Sequence, residues 1–198
     1  LSVVQSIEPF VAFINVVYWL IGLGGSVVCT IAKAEFDDER GNAYFTISTI
    51  GIIIIGLLIT LSTIVFHGQY VNLLCHSVQM KQFVTQYFFY YTIGIVFECY
   101  MVSVAYFIKT DGFIGMQFRA FLICNVVNII FDVIFMKLMN LGIAGAAMAT
   151  TVGHVISAVY ITLYFFKSNR TLRLIKVKTS RIIGYLTDIC KSGFAGAS

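Results

Sequence analysis

Polar groups that could do chemistry are few in this chain, and the informative ones fall inside apolar runs. In NVVNIIFDVIF, Asp132 follows Asn128 by four residues and Asn128 follows Asn125 by three, so the three share one helix face. A charge at membrane depth costs at least about 2.5–3.5 kcal/mol on insertion scales. Such a carboxylate either faces a bundle interior or an aqueous cavity, or lies near the outer interface where Lys137 or water caps it. Glu98 is a second acid deep in an apolar run. Tyr87, Tyr91, Gly94, Glu98 and Met101 recur there at helical spacing. Aromatic faces and a carboxylate together attract organic cations, although a plain packing stripe has the same spacing. His154 follows Thr150 by four residues, so these two also share a face. An intramembrane imidazole either relays protons near neutral pH or is a satisfied structural group. Glu8, just before Pro9, falls at the end of the first apolar run, where an interfacial acid costs little.

The elements that must position these groups follow from composition. Of 198 residues, 59% are hydrophobic and 11% charged, against roughly 25% charged in soluble domains. Mean hydropathy is +0.92. A water-facing surface cannot be built from this inventory, and the bulk of the chain belongs in lipid. About 20 apolar residues in a helix cross a bilayer core, and five runs reach that length: 3–31, 43–66, 84–108, 118–138 and 142–166. Stretches such as IGIIIIGLLITL do not alternate as barrel strands must. The fold class is therefore an all-α integral membrane bundle of about five transmembrane helices plus the start of a sixth. HGQYVNLLCHSVQMKQF, between the second and third spans, is weakly amphipathic and is expected along the outer interface. GLGGS and GIAGAAMATTVG supply small residues that permit close helix approach.

Orientation is read from Lys and Arg. The breaks after the first and third spans hold Lys33, Arg40, Lys109 and Arg119. The segment after the fifth holds Lys167, Arg170, Arg173, Lys176, Lys178, Arg181 and Lys191. These are eleven of the 13 basic residues, and only Lys81 and Lys137 fall on the other side. The basic side is expected to be cytoplasmic, which discounts the glycosylation sequon at Asn169. Juxtamembrane placement makes lipid headgroups, not nucleic acid, the partner of the basic run.

Other chemistries lack their motifs. There is no G-x-x-x-x-G-K-[ST] phosphate loop and no H-E-x-x-H, and GLGGSV lacks the third glycine of a dinucleotide fingerprint. The five cysteines are odd in number and contain no C-x-x-C pair, so they read as apolar fillers. No enzymatic activity and no cofactor are expected. The chain opens LSVVQ, without methionine or a basic leader, and closes within IIGYLTDICKSGFAGAS, which reads as a piece of a larger membrane protein.

FIKTDGF, followed by RAFLICNVVNIIFDVIFMKLMNLGIAGAAMATTVGH, resembles the multidrug and toxic compound extrusion (MATE) family. GLGGSVVCTIAKAEFDDERGNAYFTIS resembles that family's second helix and the charged turn after it. The likeness covers nearly the whole chain, family helices 2 to 6 and the start of 7, and is nearest to the DinF-like branch. It implies part of a twelve-helix, two-lobe antiporter that works by alternating access. Residues 1–166 would be the N-terminal transmembrane lobe, 167–181 a basic cytoplasmic inter-lobe linker, and 182–198 the start of the second lobe. The partners implied are the lipid bilayer of the cell membrane, the first helix and C-terminal lobe of the same transporter, and small organic, mainly cationic, substrates.

The resemblance also assigns residues. An N-x-x-x-D pair and a later threonine bind the coupling ion in that branch, and Asn128, Asp132 and Thr150 stand at those positions as candidate Na⁺ ligands. The family's site adds an aspartate from its first helix, which this chain does not contain. Val133 replaces the proline that usually follows the aspartate, which puts the local kink in question. His154 stands where many relatives carry an amide, and its coupling role is added here. Glu98, Tyr87, Tyr91 and Met101 are the candidate substrate cavity. The driving ion is Na⁺ or H⁺, and it biases the lobe only if two shapes bind it unequally. An alternative is a lipid-linked oligosaccharide flippase of the same superfamily, though that function calls for a cationic cavity and the buried charges here are mostly acidic. A membrane receptor or assembly subunit is the alternative from another class.

Overall fold

The computed structural model describes residues 3–75 and 77–197. His76 of the expected interfacial stretch and Ser198 of the expected 182–198 segment lie outside them. In chain order the helices are α1 (Val3–Ala34), α2 (Asp38–Val65), α3 (His67–Leu74), α4 (Val78–Thr110), α5 (Ile114–Leu138), α6 (Gly142–Phe166) and α7 (Thr179–Ala197). All but α3 and α7 are long and apolar enough to cross a membrane. No strand occurs among the described residues.

Two spans start earlier than hydropathy alone predicts. α2 begins within the charged turn because Asp37 caps it, its carboxylate accepting from Arg40 N at 2.9 Å, while Asp38 and Glu39 occupy the first turn. Acidic groups there meet the positive end of the helix dipole. α4 takes in Val78–Phe83, so only α3 remains of the expected interfacial stretch as a separate helix. α1 and α4 end in the same way. Asp37 N donates to Ala32 O and Phe36 N to Lys33 O, and Phe113 N donates to Ile108 O and Gly112 N to Lys109 O. The residue at the corner must take a positive φ. Gly112 does so at 87°, while Phe36 does so at 61° without a glycine's freedom.

α4 is the central element and packs against α1, α2, α5 and α6. In its most apolar stretch 72% of residues are buried, against none in that of α5. Two apolar clusters divide along it. One, around Tyr87, Phe88, Tyr91, Ile95 and Cys99, includes Ile7, Phe10 and Ile14 of α1. The other, around Val104, Phe107 and Ile108, includes Tyr44, Phe45 and Tyr164. Glu98 lies on α4 between Ile95 and Cys99 of the first cluster.

The three basic regions come together at one end. Lys33 Nζ donates to the Thr171 hydroxyl, which donates to Asp111. Asp111 also accepts from Thr171 N at 3.0 Å and from the Tyr164 hydroxyl at 2.5 Å. Arg173 N donates to Asn42 Oδ1 at 2.8 Å and Ile175 N to Thr46 Oγ1 at 3.0 Å. Residues 167–178, a turn at 168–169 and then chain without regular structure, are thus stitched across the helix ends. α7 then packs on α1, where Gly24 meets Gly193 so closely that a Cβ at position 24 would stand 2.6 Å from Gly193 N.

Candidate functional site

The residues singled out in the sequence fall into two groups on α4, α5 and α6. The first is at the end of the regular part of α5. Asn128 Nδ2 donates to Thr150 Oγ1 of α6 at 3.0 Å, and Thr150 Oγ1 donates to Ala146 O, also at 3.0 Å. Asp132, one turn beyond Asn128, is half-buried, and its Oδ1 is enclosed without a hydrogen-bond donor. Lys137 makes no ion pair with it among the described residues. The enclosed Asp132 Oδ1 is therefore an acceptor without a donor, one turn from the Asn128 amide. A carboxylate, an amide oxygen and a hydroxyl form the oxygen-only set that hard cations prefer.

The backbone changes at this point. α5 is regular through Asp132, and Val133–Leu138 is a π-helical stretch. Where the resemblance leads one to expect a proline kink, this sequence has a local widening of the helix instead. Such insertions occur often at functional sites and redirect the side chains that flank them.

The second group centres on Glu98, which is 9% exposed. Its Oε2 accepts from the Tyr91 hydroxyl at 2.9 Å and lies 3.8 Å from His154 Nδ1 of α6. Tyr87 stacks on Tyr91, ring centroids 6.3 Å apart and planes at 23°. Tyr87 is itself buried. Met101 is apart from this arrangement, buried with Val102 and Ala158. An apolar cavity of about 510 Å³ is lined by Pro9, Phe13, Leu58 and Leu73 among others, none of them from the Tyr87–Glu98 face.

Close helix contacts fix this geometry. A Cβ at Gly94 would meet Thr151 Oγ1 at 2.9 Å, and one at Gly153 would meet Cys124 O at 2.8 Å. Thr151 Oγ1 donates to Tyr90 O at 2.8 Å, pinning α6 to α4. Nothing in the spacing of the residues marks Glu98 and His154 as neighbours, or Thr151 as the group that pins α6 to α4. The only signal was the run of small residues in α6, which marks a close crossing without naming what crosses.

No protein-family model matches the chain. It is 23% identical over 172 residues, 87% of its length, to the multidrug export protein MepA of Staphylococcus haemolyticus, and 25% identical over 177 residues to the MepA of Staphylococcus saprophyticus. It spans only 38% and 39% of those proteins. Among solved structures it superposes with a TM-score of 0.87, at 19% identity, on the inward-facing conformation of a multidrug resistance MATE family transporter of the MOP superfamily. That match covers 97% of this chain and 44% of the transporter. In sequence the chain is thus similar to part of two multidrug export proteins, and in fold to part of a multidrug and toxic compound extrusion transporter.

Proposed function

We propose that this lobe serves a cation-coupled antiporter that exports drugs or other toxic organic compounds by alternating access. The observation that carries the reading is the enclosed, donor-free oxygen of Asp132 beside the Asn128–Thr150 pair. A charge enclosed without a partner is costly, so the group is suited to taking up an ion and releasing it. Asp132, Asn128 and Thr150 hold the transported Na⁺ or H⁺, and His154 joins them on the face of α6 one turn from Thr150. Glu98, Tyr87 and Tyr91 present aromatic surface and negative charge to a cationic substrate, with Met101 further along the same helix.

In this reading the Lys33, Lys109 and 167–181 end faces the cytoplasm of a cell whose plasma membrane holds the protein. Residues 1–166 act as the first lobe and the chain beyond 181 leads into the second. The names of the curated relatives support multidrug export. The clustering of the basic regions at one end supports the orientation, because positive loops favour the cytoplasmic side.

The test is dye efflux from proteoliposomes containing the full-length protein, under imposed Na⁺ or H⁺ gradients. Efflux of a cationic dye should follow one or both gradients. Dye movement indifferent to either would rule out coupling.

A further inference from the structure

At the basic end, where α6 gives way to chain without regular structure, a cavity of about 410 Å³ is lined by Phe165, Lys167, Ser168, Arg170, Arg173 and Leu174. Three of these are cations and none is an acid. Arg170 is held in place. Its Nη1 donates to Leu172 O at 2.7 Å, and its guanidinium lies 6.0 Å from the Phe165 ring centroid. One N–H of the fork thus fixes the side chain and leaves others for an anion. The backbone that presents the cations is also anchored. Leu172 is buried, Thr171 N is bound to Asp111 and Arg173 N to Asn42. The three cations therefore project from a preformed loop and do not trail from a loose tail, which lowers the ordering cost of binding.

The rim has a different character. Phe166 is 82% exposed, Leu174 50% and Leu163 49%. A cationic cavity bordered by exposed apolar side chains at the end of a membrane span fits a ligand with an anionic head and a hydrocarbon body. We propose that this cavity binds the phosphate-bearing headgroup of an anionic phospholipid, whose acyl chains lie along Leu163 and Phe166. Arginine forks suit phosphate oxygens, and basic pockets at the cytoplasmic ends of spans attract anionic headgroups. The lipid is here a fixed occupant and not cargo, so the inference stands apart from the export reading. Free phosphate shares the headgroup's chemistry but has no use for the apolar rim.

The experiment is native mass spectrometry of the full-length protein in mild detergent, titrated with phosphatidylglycerol, phosphatidylcholine or inorganic phosphate. One phosphatidylglycerol should bind with clear preference over phosphatidylcholine and resist millimolar phosphate. Lys167 and Arg173 are exposed and their side chains hold no helix in place, so Lys167→Gln/Arg173→Gln should fold. It should weaken that adduct roughly thirtyfold, at about a factor of five or six for each cation. Lys178→Gln/Lys191→Gln, which removes the same charge elsewhere on the basic end, should leave it unchanged. Equal binding of the two lipids, displacement by phosphate, or equal loss in both double variants would each overturn the proposal.

Discussion

Glu98 and Asp132 lie away from the first turns of their spans, and their surroundings differ. Glu98 is on α4, the most enclosed helix, and has a phenol at 2.9 Å and an imidazole at 3.8 Å. Asp132 is on α5, the most open of the spans, at the point where regular helix turns into a wider π-helical stretch, and its enclosed oxygen has no donor. The fold provides for one carboxylate and leaves the other wanting. A buried acid that keeps a hydrogen-bond donor is held in place, whereas one left short of partners is ready to exchange them. Within the proposed coupling, Asp132 is therefore the group that changes state and Glu98 the one that stays fixed while substrate passes.

Substitution at Asp132 should show the largest effect. Asp132→Asn keeps the size and a hydrogen-bonding end but removes the charge, and the side chain has no internal partner to lose. Gradient-driven efflux should fall about a hundredfold or more, since a lobe whose two shapes no longer bind the ion unequally loses its bias. Thermal stability and yield should stay at the wild-type level. Efflux at the wild-type rate would transfer the coupling role elsewhere, and a collapse of the fold would make Asp132 a structural group.

A second change acts on the frame that separates the two sites. Gly153→Ala places a methyl group 2.8 Å from Cys124 O, a backbone atom that cannot turn aside. α5 and α6 must then part, at a cost of about 1–3 kcal/mol, and the Asn128–Thr150 bond across the same contact should break. Efflux should drop by about tenfold, as that energy implies, with a lowered melting temperature. Gly115→Ala, which meets nothing within 4 Å, is the control. If both variants behave alike, close packing of α6 on α5 does not set the ion site.

Much of this arrangement was legible in the sequence, and the reason for the limit is physical. The five spans follow from hydropathy because lipid demands long apolar helices whatever their neighbours. Their early starts at Asp38 and Val78 escaped because polar residues in a helix's first turns look like loop to a hydropathy count. Asn128, Thr150 and Asp132 could be named together only through resemblance, since their meeting depends on how α5 and α6 rotate against each other. The Glu98–His154 approach was hidden for the same reason. Spacing along one helix shows which residues share a face, and nothing in it says which face of a helix 56 residues later will turn toward it.

Glu98→Gln sharpens the contrast from the other side. The amide oxygen can still accept from Tyr91 within α4, so that hydrogen bond survives while the charge is lost. Export of cationic dyes should weaken several-fold, on the order of the 0.5–2 kcal/mol that a cation gains beside such a face, and export of neutral dyes should hardly move. Equal loss for both classes would make Glu98 structural. No loss for either would remove it from the substrate path.

The smallest effect is expected at Tyr91, and it tests whether Glu98 is held as firmly as its partners suggest. Tyr91→Phe deletes one hydroxyl and keeps the ring that stacks on Tyr87. Glu98 then has only His154, at a distance too long for a hydrogen bond without a small shift. Hydrogen bonds between membrane helices average about 0.6 kcal/mol with a maximum near 1.7, and this one lies within a single helix. The loss of stability should therefore be about 1 kcal/mol or less, and efflux should remain within about twofold of wild type. A double-mutant cycle with His154→Gln separates two accounts of the site. If Tyr91 and His154 hold the same carboxylate, their effects on melting should be coupled, the second loss costing more than the first because it leaves the acid bare. Strict additivity would mean that His154 does not engage Glu98 in the membrane, and Glu98 would then stand as poorly provided for as Asp132.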